Sequence, residues 1–528
     1  MPALQNTPLF AKLTSRHIPI LVLLFGYLFL HLALLPTDAS VSGGFSHDSA
    51  YIGIVAGQVN AGNGFVNPAH WLLFLDPPSL PMPFHNANPL YPTAVAACTY
   101  FTGLDAARSG FVVSALASSL LMLMVYLLCR HYDQPVWFAL LAAAAAGVFP
   151  SNLRDSWSVL PDGLATALLA GMVLLVVRAR RPVNWVWAGG AFGLAWLTRS
   201  TSTLVIPGLL WWMWRTMPLR DMVVRLTVFG MAATLCVSPW LLHNYQVWGS
   251  PLRSDSYFYW IQSYAAARNM SNVDQYWRSL TPPPPAAEVF GEELPQFLSY
   301  SARGAQPFIS LFLALISERS RVAKTLLLLI FALATWLNRH RLRSAEPQAG
   351  ALVFILSVIS LLPRAEGLEI RYLSFSICTM LLWVLLPFTR VVQSQLERAL
   401  TALCLLYVTM VMFPQDWRIW ESATQPAPEA VAFRTAVREV NQRFPGARMI
   451  SHRPYFFTYY TGVSALSPPA SSKADLLEFM KKYDVRHVLL PTSGLDYYYP
   501  GGVFALQPEI QRKAEANGYT LFETERVP

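Results

Sequence analysis

Charge is scarce in this chain. Asp, Glu, Lys and Arg make up 13% of its 528 residues, against roughly 25% in an ordinary soluble domain, so a water-exposed globule of this size is excluded. Cysteine is also sparse. All five (Cys98, Cys129, Cys236, Cys378, Cys404) fall in apolar stretches and none forms a C-x-x-C pair, which argues against a disulfide framework or a cysteine-based metal site. There is no phosphate-cradling glycine loop, which excludes a nucleotide-binding domain. No internal repeat relates two halves, as a transporter built from repeats would require.

What the chain has instead is apolar length: 54% of it is hydrophobic and mean hydropathy is +0.37. Repeated runs approach the roughly 20 residues a bilayer needs. Apolar spans are expected near 18–36, 110–129, 135–149, 160–177, 185–197, 203–214, 223–242, 323–337, 349–362, 373–388 and 399–413, about 11 in all. Lys12 and Arg16 precede the first run, which is longer than a secretion-signal core and lacks a small-residue cleavage site, so it reads as an uncleaved first span. With the N-terminus inside, the inner turns become Arg130-His131, Arg178 to Arg181, Arg215 to Arg225, Arg339 to Arg343 and Arg390 to Arg398, every one basic. The net charge of +9 therefore reads as topology, not as a nucleic-acid surface.

The fold class expected is mainly α: a polytopic membrane protein over 1–414, with long outer segments at 38–109 and 243–322, followed by a small α/β domain over 415–528. Lack of disulfides and of a cleaved leader fits a bacterial inner membrane, with the N-terminus cytoplasmic and the C-terminal domain periplasmic. In the first outer segment, Ile52, Val55, Ala56 and Val59 have the spacing of an amphipathic helix lying on the membrane surface. Asp48 falls in its first turn, where the helix dipole favours a carboxylate. Prolines from 77 to 92 impose a fixed non-helical path. In the tail, helices are expected at 429–443, 473–483 and 509–517 and strands at 449–451, 485–490 and 519–523; the alternation argues a compact module.

Ionisable groups near the outer boundary are few: Asp48, His85, Arg154, Asp155, Asp162, Arg199, His243, Arg253, Asp255, Arg364, Glu366, Glu369 and Arg371. Charges at that depth pair or line a polar cavity, although Arg253, Asp255 and Glu369 read as solvated loop charges. Asp162 follows Leu160-Pro161 and opens an apolar helix, which suits a cap as well as a functional carboxylate.

In order and placement these features resemble the C-type superfamily of membrane glycosyltransferases, which includes protein O-mannosyltransferases and the aminoarabinose transferases that modify lipid A. The resemblance rests on Asp48-Ser49-Ala50-Tyr51, Asn88-Pro89-Leu90-Tyr91-Pro92, Leu160-Pro161-Asp162, Gly193 to Arg199, Pro239 to Pro251 and Arg371-Tyr372, and covers most of 15–390. Two positions depart from the pattern: Ser49 stands where many members have a second acid, and Ala87 stands where a cation opens the Pro-Pro-Leu motif of two branches. The resemblance implies a sugar donor linked to a polyprenyl phosphate, which enters through the membrane and needs no nucleotide site. Asp48 would take the proton of an acceptor hydroxyl as it attacks the anomeric carbon and inverts it. Asp162 would orient the acceptor or a divalent metal, and His85, Arg199 and Arg371 would bind the departing phosphate. The acceptor, whether lipid, polysaccharide or protein, stays open. So do two alternatives, a lipid-linked glycan flippase or transporter and a glycan polymerase or ligase.

Overall fold

The computed structural model describes residues 9–70, 80–84, 88–251, 417–468, 473–493 and 510–524, with scattered helical positions between 345 and 355. The four expected spans beyond residue 322 and the second outer segment lie outside this set, apart from those scattered positions and residues 243–251. The described chain is mostly helical. In order come α1 (Leu9–Ala33), α2 (His47–Asn60), the paired short strands β1 (Val66–Asn67) and β2 (Met82–Pro83), α3 (Leu90–Thr102), α4 (Ala106–His131), α5 (Val136–Val148), α6 (Pro150–Ser156), α7 (Asp162–Arg178), α8 (Trp185–Thr198), α9 (Ile206–Thr216) and α10 (Leu219–Trp248). Each of the seven expected spans before residue 250 coincides with a helix. Among the described residues, α4 and α10 are long and apolar enough to cross a membrane, and Ile18–Ala33 and α5 are shorter apolar helices.

Small residues set how closely these helices approach. A side chain on Gly189 of α8 would strike the Phe229 carbonyl of α10, and one on Gly193 would come within 2.7 Å of Cys236 Cβ. The bundle core runs through Leu121, Tyr126, Phe138, Met172, Trp185 and Leu209. At one end, basic turns satisfy exposed carbonyls: Arg178 Nη2 donates to Leu127 O at 3.4 Å and Arg225 Nη1 to Ala179 O at 3.2 Å. The opposite end carries α2, α3 and the C-terminal domain.

That domain contains α11 (Pro428–Arg443), β3 (Met449–Ser451), α12 (Pro454–Thr461), β4 (Ala465–Leu466), α13 (Lys473–Tyr483), β5 (His487–Pro491), β6 (Ile510–Ala516) and β7 (Tyr519–Thr524). Its five strands run in the order β4-β3-β5-β7-β6, parallel among β4, β3 and β5 and antiparallel beyond. The helix expected over 509–517 is a strand instead. Gln, Arg, Lys, Ala and Glu there favour a helix, but Asn517 and Gly518 take φ of 50° and 79°, a two-residue turn of the hairpin kind that pairs β6 with β7. Cross-strand pairing overrides propensity.

The second difference concerns α2. It forms as expected, but Ser49 to Ala56 are buried in unbroken succession, so the helix does not lie on a membrane surface with one face wet. It is enclosed between α3, α4 and α12. One hydrophobic core contains Tyr51, Val55, Tyr91, Phe111 and Trp157 from the membrane portion together with Phe433, Val437, Met449 and Phe457 from the C-terminal domain.

The close approach at Gly189 yields a stability test. Gly189→Ala forces α8 away from the α10 backbone and should cost about 1–3 kcal/mol, measured as a lower thermal midpoint in detergent; an unchanged midpoint would show that the helices have slack there.

Candidate active site

The chain entering α2 is held from both sides. Gly43 N and Gly44 N donate to the carbonyls of Gln425 (3.0 Å) and Ala423 (2.9 Å), while Ala427 N donates to Val41 O at 2.8 Å. On its other side Gly44 O accepts from Val159 N at 3.4 Å. A side chain on Gly44 would strike the Trp157 carbonyl, so only glycine permits this approach. The Asp48 turn is thereby tied to the segment that leads into Asp162.

Ser46 caps α2, and Ser46 and Ser49 form a reciprocal capping box: Ser49 N donates to Ser46 Oγ at 3.3 Å and Ser46 N to Ser49 Oγ at 3.0 Å. This explains the departure at position 49 in local terms. Ser49 is fully buried, and a second carboxylate there would need a partner at large desolvation cost. Asp48 is half-buried in the first turn of α2.

Asp162 is the first residue of α7 and makes no side-chain cap. Its carboxylate, 1% exposed, instead pairs through Oδ1 with Arg199 Nη1, at the end of α8. Arg199 leaves the helix in an extended conformation that turns its side chain back to α7. The second carboxylate oxygen, Oδ2, is buried without a hydrogen-bond partner. Among buried polar atoms that is uncommon, and it is a position where an incoming donor would be welcome. The buried carboxyl-bearing residue Asp155 is close by: a Cβ on Gly163 would meet Asp155 Cβ at 3.5 Å.

The other motifs build the same end of the bundle. Asn88 Nδ2 donates to the Trp196 carbonyl, just before Arg199. Buried Tyr91 reaches Gly110 O at 3.2 Å and Ser114 Oγ at 2.7 Å. The stretch from Pro239 to Pro251 is the end of α10: Gly249 terminates the helix with φ of 70°, and Asn244 Nδ2 donates to Pro251 O at 3.3 Å. Trp240 packs edge-on against Phe65 and Phe84 of the first outer segment, at 5.4 and 6.0 Å. Of the five residues expected to do chemistry, Asp162 and Arg199 meet directly, whereas Asp48 stands at the start of α2, which packs on α3, α4 and α12. His85 and Arg371 lie outside the described residues. Among the described residues no three His, Cys, Asp or Glu side chains gather as a metal site.

Sequence reasoning missed the helix that covers α2. In α12, Tyr455, Phe456, Tyr459 and Tyr460 face α2 and the segment before it. The His47 and Tyr455 rings are 4.5 Å apart, Tyr51 and Tyr455 4.9 Å, and Phe45 and Tyr459 5.0 Å; Tyr460 OH donates to Ser40 O at 2.8 Å. Pro454 at the helix start and Gly462 at its end, with φ of 72°, were the signal that could have found it. Behind it, His452 stacks on Tyr519 at 5.5 Å. Burial pushes the His47 imidazole down to about 4, opposed by the Asp48 charge and aided by Arg453. Burial pushes His452 down to about 3, with Arg453 and His47 adding to it.

Residues 86–243 match the family of dolichyl-phosphate-mannose-protein mannosyltransferases. No curated protein matches the chain. Among solved structures, the Archaeoglobus fulgidus oligosaccharyltransferase tethered to an acceptor peptide with an NVT sequon is similar at 12% identity, over 98% of this chain and 75% of that one, with a TM-score of 0.55. The same organism's oligosaccharyltransferase AglB, in complex with an inhibitory peptide and a dolichol-phosphate, is 11% identical over 90% of this chain and 69% of that one, with a TM-score of 0.51. ArnT from Cupriavidus metallidurans bound to undecaprenyl phosphate is 12% identical over 96% and 98%, with a TM-score of 0.40.

Two outcomes follow from the geometry. Arg199→Ala strands a buried carboxylate and should cost about 3–5 kcal/mol, whereas the double variant Asp162→Asn/Arg199→Gln should be clearly more stable than Arg199→Ala. Equal midpoints for the two in thermal unfolding would mean the pair is not buried as described. The histidines give the second. Both are held neutral in the fold with values below the ordinary 6.5, so the unfolded chain takes up protons first as pH falls. The stability they contribute is present above about pH 6.5 and is lost from there down to about pH 4 for His47 and about pH 3 for His452. Unfolding midpoints should therefore drop by several degrees from pH 7.5 to pH 5, and His452→Phe should flatten that drop; an identical slope in the variant would contradict the assignment.

Proposed function

We propose that this chain is a membrane glycosyltransferase of the C-type superfamily that transfers a sugar from a polyprenyl-phosphate donor to an acceptor hydroxyl, a reading supported by the family match over residues 86–243 and by the likeness of fold. The reaction takes place at the end of the bundle opposite the basic turns. The observation that carries this reading is the fixed placement of Asp48: a half-buried carboxylate in the first turn of an enclosed helix, tied through Gly44 and Val159 to the segment bearing Asp162. With basic turns inside, this is the outer face of a multi-pass protein of about 11 spans, and in a bacterium it is the periplasmic side of the inner membrane.

The chemistry asks little of the protein. A phosphate ester leaves as a weak base, taking both electrons of the anomeric C–O bond, so it needs positive charge more than a proton. The acceptor hydroxyl must lose its proton as its oxygen forms the new bond, and Asp48 accepts it. Attack from the face opposite the phosphate inverts the anomeric centre. Asp162 holds the Arg199 guanidinium at a fixed angle, and an arginine so oriented suits phosphate oxygens better than a lysine would. His85 and Arg371 complete the phosphate site in this reading. The acid-bearing outer segment and the arginine on α8 are then two sides of one reaction centre.

The test uses full-length protein in liposomes given radiolabelled undecaprenyl-phosphate sugars (mannose, glucose, galactose and aminoarabinose in turn), with membranes of the source cell as acceptor. Wild type should transfer label from one of them. Asp48→Asn, with an unchanged thermal midpoint, should lose about 10²–10⁴-fold in rate. Near-normal transfer by that variant would remove Asp48 as the base.

A further inference from the structure

We infer that Tyr459 is a positioning residue for the Asp48 helix, which makes the C-terminal domain a working part of the transfer site; this rests on the reading of Asp48 as the base. The geometry is that of a pin through three elements. The Tyr459 ring lies over Gly53 of α2 so closely that a Cβ there would come within 2.8 Å of Cε2 and 3.2 Å of Cδ2. The same ring contacts Phe45, immediately before the cap Ser46, with centroids 5.0 Å apart. Its hydroxyl then reaches α4, accepting from Ala107 N at 3.2 Å.

That amide is one of the unsatisfied donors every helix start exposes. The next one, Arg108 N, goes to the Asp105 side chain at 2.9 Å. Tyr459 therefore supplies the partner that α4 lacks locally, and burial keeps its phenol protonated by raising it well above the ordinary tyrosine range. Asp48 lies between the two points on α2 and its lead-in that the ring touches, Phe45 and Gly53. A helix gripped at both sides of its acidic turn cannot roll without disturbing the ring, and the ring cannot shift without leaving Ala107 N unpaired. Reactions of this kind lose about 10²-fold for a displacement near 1 Å, so such a pin has catalytic weight although Tyr459 touches no substrate.

The experiment uses the full-length enzyme with whichever labelled undecaprenyl-phosphate sugar turns over in the assay above. Tyr459→Ala should lower kcat about 10–100-fold while KM for the donor stays within about twofold. Tyr459→Phe keeps the ring over Gly53 and should retain most of kcat. Gly53→Ala, which collides with the ring, should fall toward the alanine variant. In an Asp48→Asn background Tyr459→Ala should add no further loss, because there is no base left to misplace. Unchanged kcat, a rise in KM alone, or a full multiplicative loss in the Asp48→Asn background would overturn the inference. Should Tyr459→Ala fail to fold, Tyr459→Leu, which removes the ring but keeps bulk, decides: amide hydrogen exchange over 48–56 must rise in the folded variant, and unchanged exchange refutes the pin. Near-normal transfer by Asp48→Asn sinks the assignment of the base, whereas an inactive Asp48→Asn beside a normal Tyr459→Ala sinks this inference alone.

Discussion

A carboxylate and a guanidinium sealed together where the bundle meets its cover impose the strictest constraint on this architecture. Asp162 is 1% exposed and its partner Arg199 is 18% exposed in its side chain. Removing either from water costs several kcal/mol, recovered only while the other is present and well aligned. The start of α7 and the end of α8 are therefore locked in register. Asn88 binds α8 one turn away, which draws the first outer segment to the same place. A greasier pair would have held the helices with less risk. Under the proposed function, what the charged pair adds is an oriented cation for the departing phosphate, which is a reason of function and not of stability.

The second constraint is backbone proximity bought with glycine. Gly43 and Gly44 let the chain before α2 lie against 422–425 on one side and Trp157 on the other. Gly53 lets an aromatic ring sit on α2, and Gly110 lets α4 meet Val159. Each contact is local, yet together they fix α2 and the segment that leads into it. His70 adds a further tie by exchanging backbone hydrogen bonds of 2.9 Å with Ala465 and Ser467 at the edge of the C-terminal sheet.

Much of this was legible in the sequence because apolar length and basic turns are strong signals. The helices from α1 to α10 that span apolar runs were located by them, and Asp162 and Arg199 were both marked as charges at one boundary. Their pairing was not legible, since residues 37 positions apart carry no periodicity that links them. Buried α2 read as a surface helix because Ile52, Val55, Ala56 and Val59 do form a stripe. Nothing in that segment reveals that Tyr455 and Tyr459, some 400 residues on, cover its remaining faces. The strand β6 was missed for the opposite reason: its own residues favour a helix, and the deciding information sat in the Asn517-Gly518 turn just beyond it.

Enclosure of α2 changes what the C-terminal domain is for. A helix floating on a bilayer shares the motions of the headgroups, and a base carried on it would wander by more than a proton transfer between heavy atoms about 3 Å apart can tolerate. Fixing it to the membrane helices alone would leave its outer face apolar and wet, since Ile52 and Ile54 are both buried in the fold and lie on different sides of the helix. A soluble domain with its own sheet solves both problems, because it can bring a rigid aromatic face to an apolar helix while keeping its far side in water. In the proposed reaction, side chains of the C-terminal domain at the edge where α12 meets α2 would meet the acceptor, and charges such as Arg199 would meet the donor phosphate.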